Sequence, residues 1–182
     1  YDSKKEGVPD TSFLDQAIVN LKKAVELKPD EKSLIYRVGF DLYNRTSYAE
    51  AIPWFEKRIT TDSTHLQSYQ YIAFSYIKMN DFTKAVEYLE LMYKLKPDSP
   101  FVLKTLSTTY LFQIKNREKG MEWLRKWADT DTKDYEPYKW MGFIYISEKP
   151  AKKEQAIEAL TKCWQRMEAN GVDKCKEIDV IT

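Results

Sequence analysis

The chain of 182 residues carries 29 Lys and Arg against 28 Asp and Glu, and 14% of it is aromatic, with 13 tyrosines. Opposite charges are interspersed without a long basic stripe, which argues against a nucleic-acid backbone or an anionic membrane as the main partner. The aromatic content is too high for a disordered segment, and no apolar run approaches the roughly 18–20 residues of a membrane span.

The chain opens on Tyr1 and shows no charged-then-apolar leader, as expected of a processed protein or a piece of a longer one. Any leader precedes residue 1, so the compartment stays open between cytoplasmic and exported. Residues 1–11 are expected to be a loop closing a truncated first repeat. Beyond them, apolar and small residues recur at three- and four-residue spacings. This predicts helices near 12–28, 31–44, 47–60, 65–79, 82–95, 99–113, 117–129, 134–147 and 151–169. Turn-forming residues separate them, among them Pro29-Asp30, Asn80-Asp81, Lys149-Pro150 and Asn170-Gly171. In residues 170–182, Val172, Cys175, Ile178 and Ile181 are spaced by three, which fits a short capping helix; a linker is the alternative.

The helices repeat. Ala17, Ala51 and Ala85 lie 34 residues apart, and Gly120 and Ala156 follow after 35 and 36. Leu21, Phe55, Leu89, Leu124 and Leu160 stand four residues behind them, and Gly39, Ala73, Ser107 and Gly142 occupy the helices between. A small residue at a fixed place lets two helix backbones approach closely. Asn80 sits at a turn, where Asn tolerates the left-handed conformation.

This pattern resembles the tetratricopeptide repeat, whose 34-residue signature is W-x2-L-G-x2-Y, then A-x3-F, then P. Tyr138, Met141, Gly142 and Tyr145 match its first half, as do Ile35, Val38, Gly39 and Leu42, and Tyr69, Ile72, Ala73 and Tyr76; Leu103, Leu106, Ser107 and Tyr110 match more loosely. Pro29 and Pro97 supply the closing proline, replaced elsewhere by Ser63, Thr132 and Glu168. The resemblance covers residues 12–169 and implies an all-α, right-handed α-solenoid of antiparallel helix pairs, about four and a half repeats long. It places the second helix of a first repeat at 12–28 and later repeats at about 31–63, 65–97, 99–132 and 134–169.

Such solenoids usually bind an extended or helical peptide in a concave groove lined by the first helices. The resemblance puts Tyr36, Phe40, Tyr43, Asn44, Gln67, Gln70, Phe74, Lys78, Lys104, Thr108, Leu111, Lys139, Phe143 and Ser147 there. Phe40, Phe74 and Phe143 are the informative series, because the family more often has a small or polar residue at that place. They read either as apolar sockets for a partner's side chains or as rings packed between helices. The family's clamp for chaperone-tail carboxylates needs cationic and amide donors, but the corresponding positions hold Tyr36, Phe40, Tyr71, Phe101 and Thr105, so no such clamp is expected.

Nothing else carries chemistry. His65 is the only histidine and stands at a helix start, where a solvated or capping role is expected. No metal site, cofactor or catalytic residue is expected, since Cys/His spacing for zinc and a Gly-rich phosphate loop are both missing. Cys163 falls at a core-facing position, and a Cys163–Cys175 bridge is a minor alternative. Trp54, Tyr88 and Trp123 share one place on successive second helices and read as inter-helix packing. The expected function is a non-catalytic scaffold for a partner protein or peptide. The alternative is self-association through end-to-end stacking into a homo-oligomer.

Overall fold

The computed structural model describes residues 12–172, which are helices and short connections. In order they are α1 (Ser12–Leu27), α2 (Lys32–Asn44), α3 (Tyr48–Thr61), α4 (Leu66–Lys78), α5 (Phe82–Leu95), α6 (Pro100–Thr108), α7 (Arg117–Thr130), α8 (Glu136–Ser147) and α9 (Lys153–Ala169). A π-helical turn, Thr109–Gln113, continues α6. The helices form two compact units, α1–α5 and α6–α9, divided between Leu95 and Lys96. The expected loop over 1–11 and the expected capping helix or linker with Cys175, Ile178 and Ile181 lie outside the described residues.

In the first unit the antiparallel pairs are α2 with α3 and α4 with α5. Their core holds Ile35, Val38, Leu42, Ala51, Phe55, Ile72, Ala73, Ala85 and Leu89, all fully buried. The small residues act where the sequence places them: a methyl group on Gly39 would stand 3.0 Å from the Phe55 ring. In the second unit the same contact joins Gly142 of α8 to Leu160 of α9, where a methyl group would come within 2.6 Å. Each close approach lets the two helices of a pair cross with their backbones near one another.

The turns repeat as well. Thr46, Asn80 and Lys115 all adopt left-handed backbone, with φ of 64°, 61° and 58°. Ser47 N–H then donates to Leu42 O, and Asp81 N–H to Tyr76 O, each at 2.9 Å, satisfying carbonyls at the end of a helix. Gly171 (φ 64°) closes α9 in the same manner, with Val172 N–H on Met167 O at 3.0 Å.

The unequal repeat lengths have a structural explanation. Gly39 to Ala51 and Ala73 to Ala85 are 12 residues, Ser107 to Gly120 is 13, and Gly142 to Ala156 is 14. The connection after the first helix spans three residues in the first three cases (45–47, 79–81, 114–116) and five in the last (148–152). The third pair therefore absorbs its extra residue inside the helix, as the π turn, where each bond spans one residue more. The fourth takes its two extra residues into the loop.

Arg166 secures the second unit. Its guanidinium donates to the carbonyls of Asp131 (2.9 Å), Asp134 (2.7 Å) and Ala128 (2.8 Å), tying α9 to the end of α7. Such charge-assisted bonds contribute about 1.5–3 kcal/mol each when their donor is partly buried.

Thr46 is the strained member of the turn series, because a β-branched side chain is poorly suited to positive φ. Thr46→Asn is expected to stabilise the protein by about 1 kcal/mol, read as a higher urea midpoint at unchanged slope.

Candidate functional site

On the first helices of unit 1, the rings of Tyr36, Phe40 and Tyr43 are half-buried and converge on Tyr71 of α4. Tyr71 meets Phe40 edge-on at 5.4 Å and Tyr43 at 5.0 Å, and stacks on the core ring of Phe55 at 5.3 Å. Tyr36 stacks along Phe40 at 6.1 Å. Asn44, Gln67 and Lys78 are exposed around this cluster, while Gln70 and Phe74 are half-buried. The Arg37 guanidinium lies 6.0 Å from the Phe40 ring and is held by the buried Asp41 carboxylate at 2.9 Å.

In unit 2 the face is built differently. Lys104 is engaged: its ammonium pairs with Glu136 at 2.5 Å and lies 5.6 Å from the Trp127 ring. The Thr108 hydroxyl turns back to the Lys104 carbonyl at 2.9 Å. Leu111 departs from its expected place. The π turn rotates it onto α7, where its side chain fills the space beside Gly120, so a methyl group there would be 2.5 Å away. Phe112 takes the outward position instead, 48% exposed, with its ring edge-on to Trp140 at 5.2 Å. Trp140 continues to Phe143 at 6.4 Å. Phe143 and Lys139 are half-buried, and Ser147 is exposed.

Sequence reasoning thus missed Tyr71, Phe112 and Trp140. The signal for Tyr71 and Trp140 was their common register, two places before Ala73 and Gly142. The signal for Phe112 was the 35-residue step, which marks an inserted residue without saying where it goes.

A family model described as tetratricopeptide repeat matches residues 66–99. Among solved structures, the crystal structure of MamA overlays with a TM-score of 0.69 at 17% identity, covering 94% of this chain and 98% of that one. YrrB, described as a TPR protein with an unusual peptide-binding site, overlays with a TM-score of 0.64 at 18% identity, covering 87% and 80%. Protein IFIT1 homolog B of Homo sapiens is 26% identical over 114 residues, 63% of this chain. The chain spans about a quarter of that relative's length, 24%. One stretch of the chain, residues 66–99, is thus similar to the tetratricopeptide repeat, and the overlays extend the same fold to most of the chain. Its fold is accordingly of the all-α, tetratricopeptide-like solenoid type.

The phenols of Tyr36, Tyr43 and Tyr71 are gathered on the face of the first unit. Burial raises the Tyr36 hydroxyl above its ordinary value, with the neighbouring Tyr71 and a hydrogen bond to it adding to the effect. Burial likewise raises Tyr43, aided by Tyr48 and Tyr71. These hydroxyls remain neutral donors and acceptors at physiological pH. Among the described residues, no His, Cys, Asp and Glu cluster suits a metal ion, and no helix is long and apolar enough to cross a membrane.

Cys163 is buried and points its thiol at the Met167 sulfur, 3.9 Å away. Cys175, its suggested bridge partner, lies outside the described residues. Trp54, Tyr88 and Trp123 pack between helices, with the Tyr88 hydroxyl donating to Glu56 at 2.7 Å.

His65 stands at the N-cap position of α4, as a helix-start residue should, but its side chain caps no backbone N–H and its ring is half-buried. Its ring lies edge-on to Tyr36 at 5.1 Å, and Nδ1 is 2.8 Å from the Ser68 hydroxyl. Burial holds its pKa below the usual 6.5, and the Arg58 charge lowers it further against an opposing pull from Asp62. Asp62 itself is held down to about 2, first by hydrogen bonds from the Thr64 hydroxyl and backbone and then by Arg58. A depressed histidine resists protonation in the fold, so its contribution to stability is fully present above the unfolded value and is lost as pH falls through the folded one. Proton NMR of this single imidazole should give an apparent pKa under 6.5, moving upward in Tyr36→Ala as the covering ring is removed. A wild-type value at or above 6.5 contradicts the burial account.

Proposed function

We propose that the chain is a non-catalytic scaffold whose first-helix faces hold an extended or helical segment of a partner protein. The proposed contact surface comprises Tyr36, Phe40, Tyr43, Asn44, Gln67, Gln70, Phe74 and Lys78 on the first unit. On the second it comprises Lys104, Thr108, Lys139 and Phe143, with Phe112 in place of Leu111. The repeats supplying it are those at about 31–63, 65–97, 99–132 and 134–169. The observation that carries the reading is the half-buried state of the rings. Their inner edges are locked by neighbours such as Phe55 and Trp140, while their outer edges remain accessible. Rings fixed in this way lose little side-chain freedom on binding, so the partner's buried apolar area is retained as affinity.

Phe112 is the cleanest probe, being about half exposed and in no fully buried contact of the core. Phe112→Ala is expected to reduce capture of a bound partner at least roughly tenfold, equivalent to about 1.4 kcal/mol. The circular-dichroism spectrum and unfolding midpoint should stay near those of the wild type. Phe40→Ala should lower both capture and stability, since its ring also packs on Tyr36 and Tyr71. Full capture by both variants would remove the first-helix faces from consideration.

Self-association is a second reading, favoured by one residue. Ile157 of α9 is 66% exposed, whereas its register equivalents Ile52, Val86 and Met121 are 5–6% exposed. If copies associate through this end, light-scattering mass rises with concentration and Ile157→Glu abolishes the rise. A constant mass across concentration eliminates this alternative.

A further inference from the structure

One register position on the second helices carries a large ring three times running. Trp54, Tyr88 and Trp123 each stand three residues after the small residue of their helix, namely Ala51, Ala85 and Gly120. Tyr88 shows what the ring does there. It lies 6.5 Å from Tyr69 and 5.8 Å from Tyr76, nearly parallel to the latter, and its hydroxyl donates to Glu56 at 2.7 Å.

The next member of the series is Ala159, three residues after Ala156. Its surroundings keep the register: Tyr138 and Tyr145 occupy the places of Tyr69 and Tyr76, Met141 that of Ile72, and Arg125 that of Glu56. With the ring missing, a cleft of about 290 Å³ lies between α7, α8 and α9, lined by these residues and Ala159. A cavity of about 150 Å³ already holds benzene, so this one has room for a single ring and a substituent.

The chemistry at its edge is specific. A carboxylate at Glu56 accepts a hydrogen bond, whereas a guanidinium at Arg125 only donates. Arg125 forms no hydrogen bond or ion pair among the described residues, although its charge helps to hold the Glu122 carboxyl below its usual value. Glu158 at the rim is paired with Lys162 at 2.6 Å, and Asp129, one turn after Arg125 on α7, is the other carboxylate of the lining. That carboxylate disfavours a doubly charged anion.

We infer that this cleft binds one aromatic ring carrying a monoanionic acceptor, with the ring between Tyr138 and Tyr145 and the carboxylate at Arg125. Two sources present that chemistry: a free aromatic acid, and the C-terminal Phe or Tyr of a peptide. The site lies on the second-helix side of the unit and is independent of the first-helix reading above.

The test is an NMR titration of the full chain with phenylacetate. Saturable shifts are expected at the amides of Tyr138, Tyr145 and Ala159, with a dissociation constant on the order of 1 mM for so small a ligand. Phenethylamine, which has the ring and the opposite charge, should bind more weakly than phenylacetate, since it forgoes Arg125; equal or tighter binding overturns the charge assignment. Ala159→Tyr restores the ring from within: it should unfold at no lower temperature than the wild type and lose the titration. Arg125→Ala should weaken binding roughly tenfold.

A peptide ending in Phe, compared with its C-terminal amide, separates the sources. Tighter binding of the free-acid peptide than of phenylacetate assigns the site to a partner's terminus, and equal binding assigns it to the free acid. The inference fails if Ala159→Tyr is destabilised, if binding survives that substitution, or if neither phenylacetate nor the peptide gives saturable shifts.

Discussion

The contact on which the helix pairs depend is the one between a small residue of a first helix and the large residue of its partner. Gly39 beneath Phe55 and Gly142 beneath Leu160 leave no room for even a methyl group without a shift of the neighbour. This close approach fixes which faces of the two helices meet, and so which remain outside. With Gly39 pinned under Phe55, Phe40 one residue on is carried to the half-exposed side, and Tyr36 follows one turn away. The half-exposed aromatic face is therefore a by-product of the core contact. A residue cannot change sides without breaking the crossing that holds its helix.

This dependence explains what was legible in the sequence. Spacings of glycine and alanine revealed the pairs, and the helix limits expected from turn residues agree with the structure within about two residues. Asn80 was expected at a left-handed turn and adopts φ of 61°. Thr46 and Lys115 do the same without a residue type that advertises it, because tertiary packing overrides local preference at those positions. The side-chain detail was less accessible. Leu111 and Phe112 are adjacent apolar residues, and composition does not say which faces out. That choice was made by the π turn, which depends on how the extra residue is accommodated against Gly120. Tyr71 was equally hidden, since a tyrosine at that register reads as a surface residue until Phe55 and Tyr43 are seen to enclose it.

The two units reach similar cores by different side-chain means. In the first, ring stacks on ring: Phe55, Tyr71, Phe40 and Tyr36 form one connected group, and His65 is drawn into it with a depressed pKa. In the second, cations cover rings more often, although Lys84 also lies 5.3 Å from Tyr76 in the first and Phe112, Trp140 and Phe143 meet ring to ring in the second. Lys126 lies 4.1 Å from Trp123, Lys119 lies 5.2 Å from Tyr110, and Lys104 reaches Trp127 while paired with Glu136. Each such contact contributes about 0.5–2 kcal/mol depending on exposure. A ring stack excludes water and is nearly indifferent to salt; cation–ring contacts at the surface are hydrated and weaken as salt screens them.

The same substitution of cations for rings accounts for the open crease beside Ala159. Loss of an aromatic side chain from a packed position ordinarily costs about 3–5 kcal/mol, because the rings that faced it lose their contacts. Here Tyr138 is covered by the Arg166 guanidinium at 4.5 Å and by Lys162 at 5.7 Å, and Tyr145 by Lys152 at 6.0 Å. Arg166 is in turn anchored by three backbone carbonyls, so its position does not depend on anything occupying the cleft. The rings keep a partner on their flanks while the space between them stays open. A repeat that secures its helices by such lateral contacts is freed from filling its centre, and Ala159 becomes compatible with a stable pair.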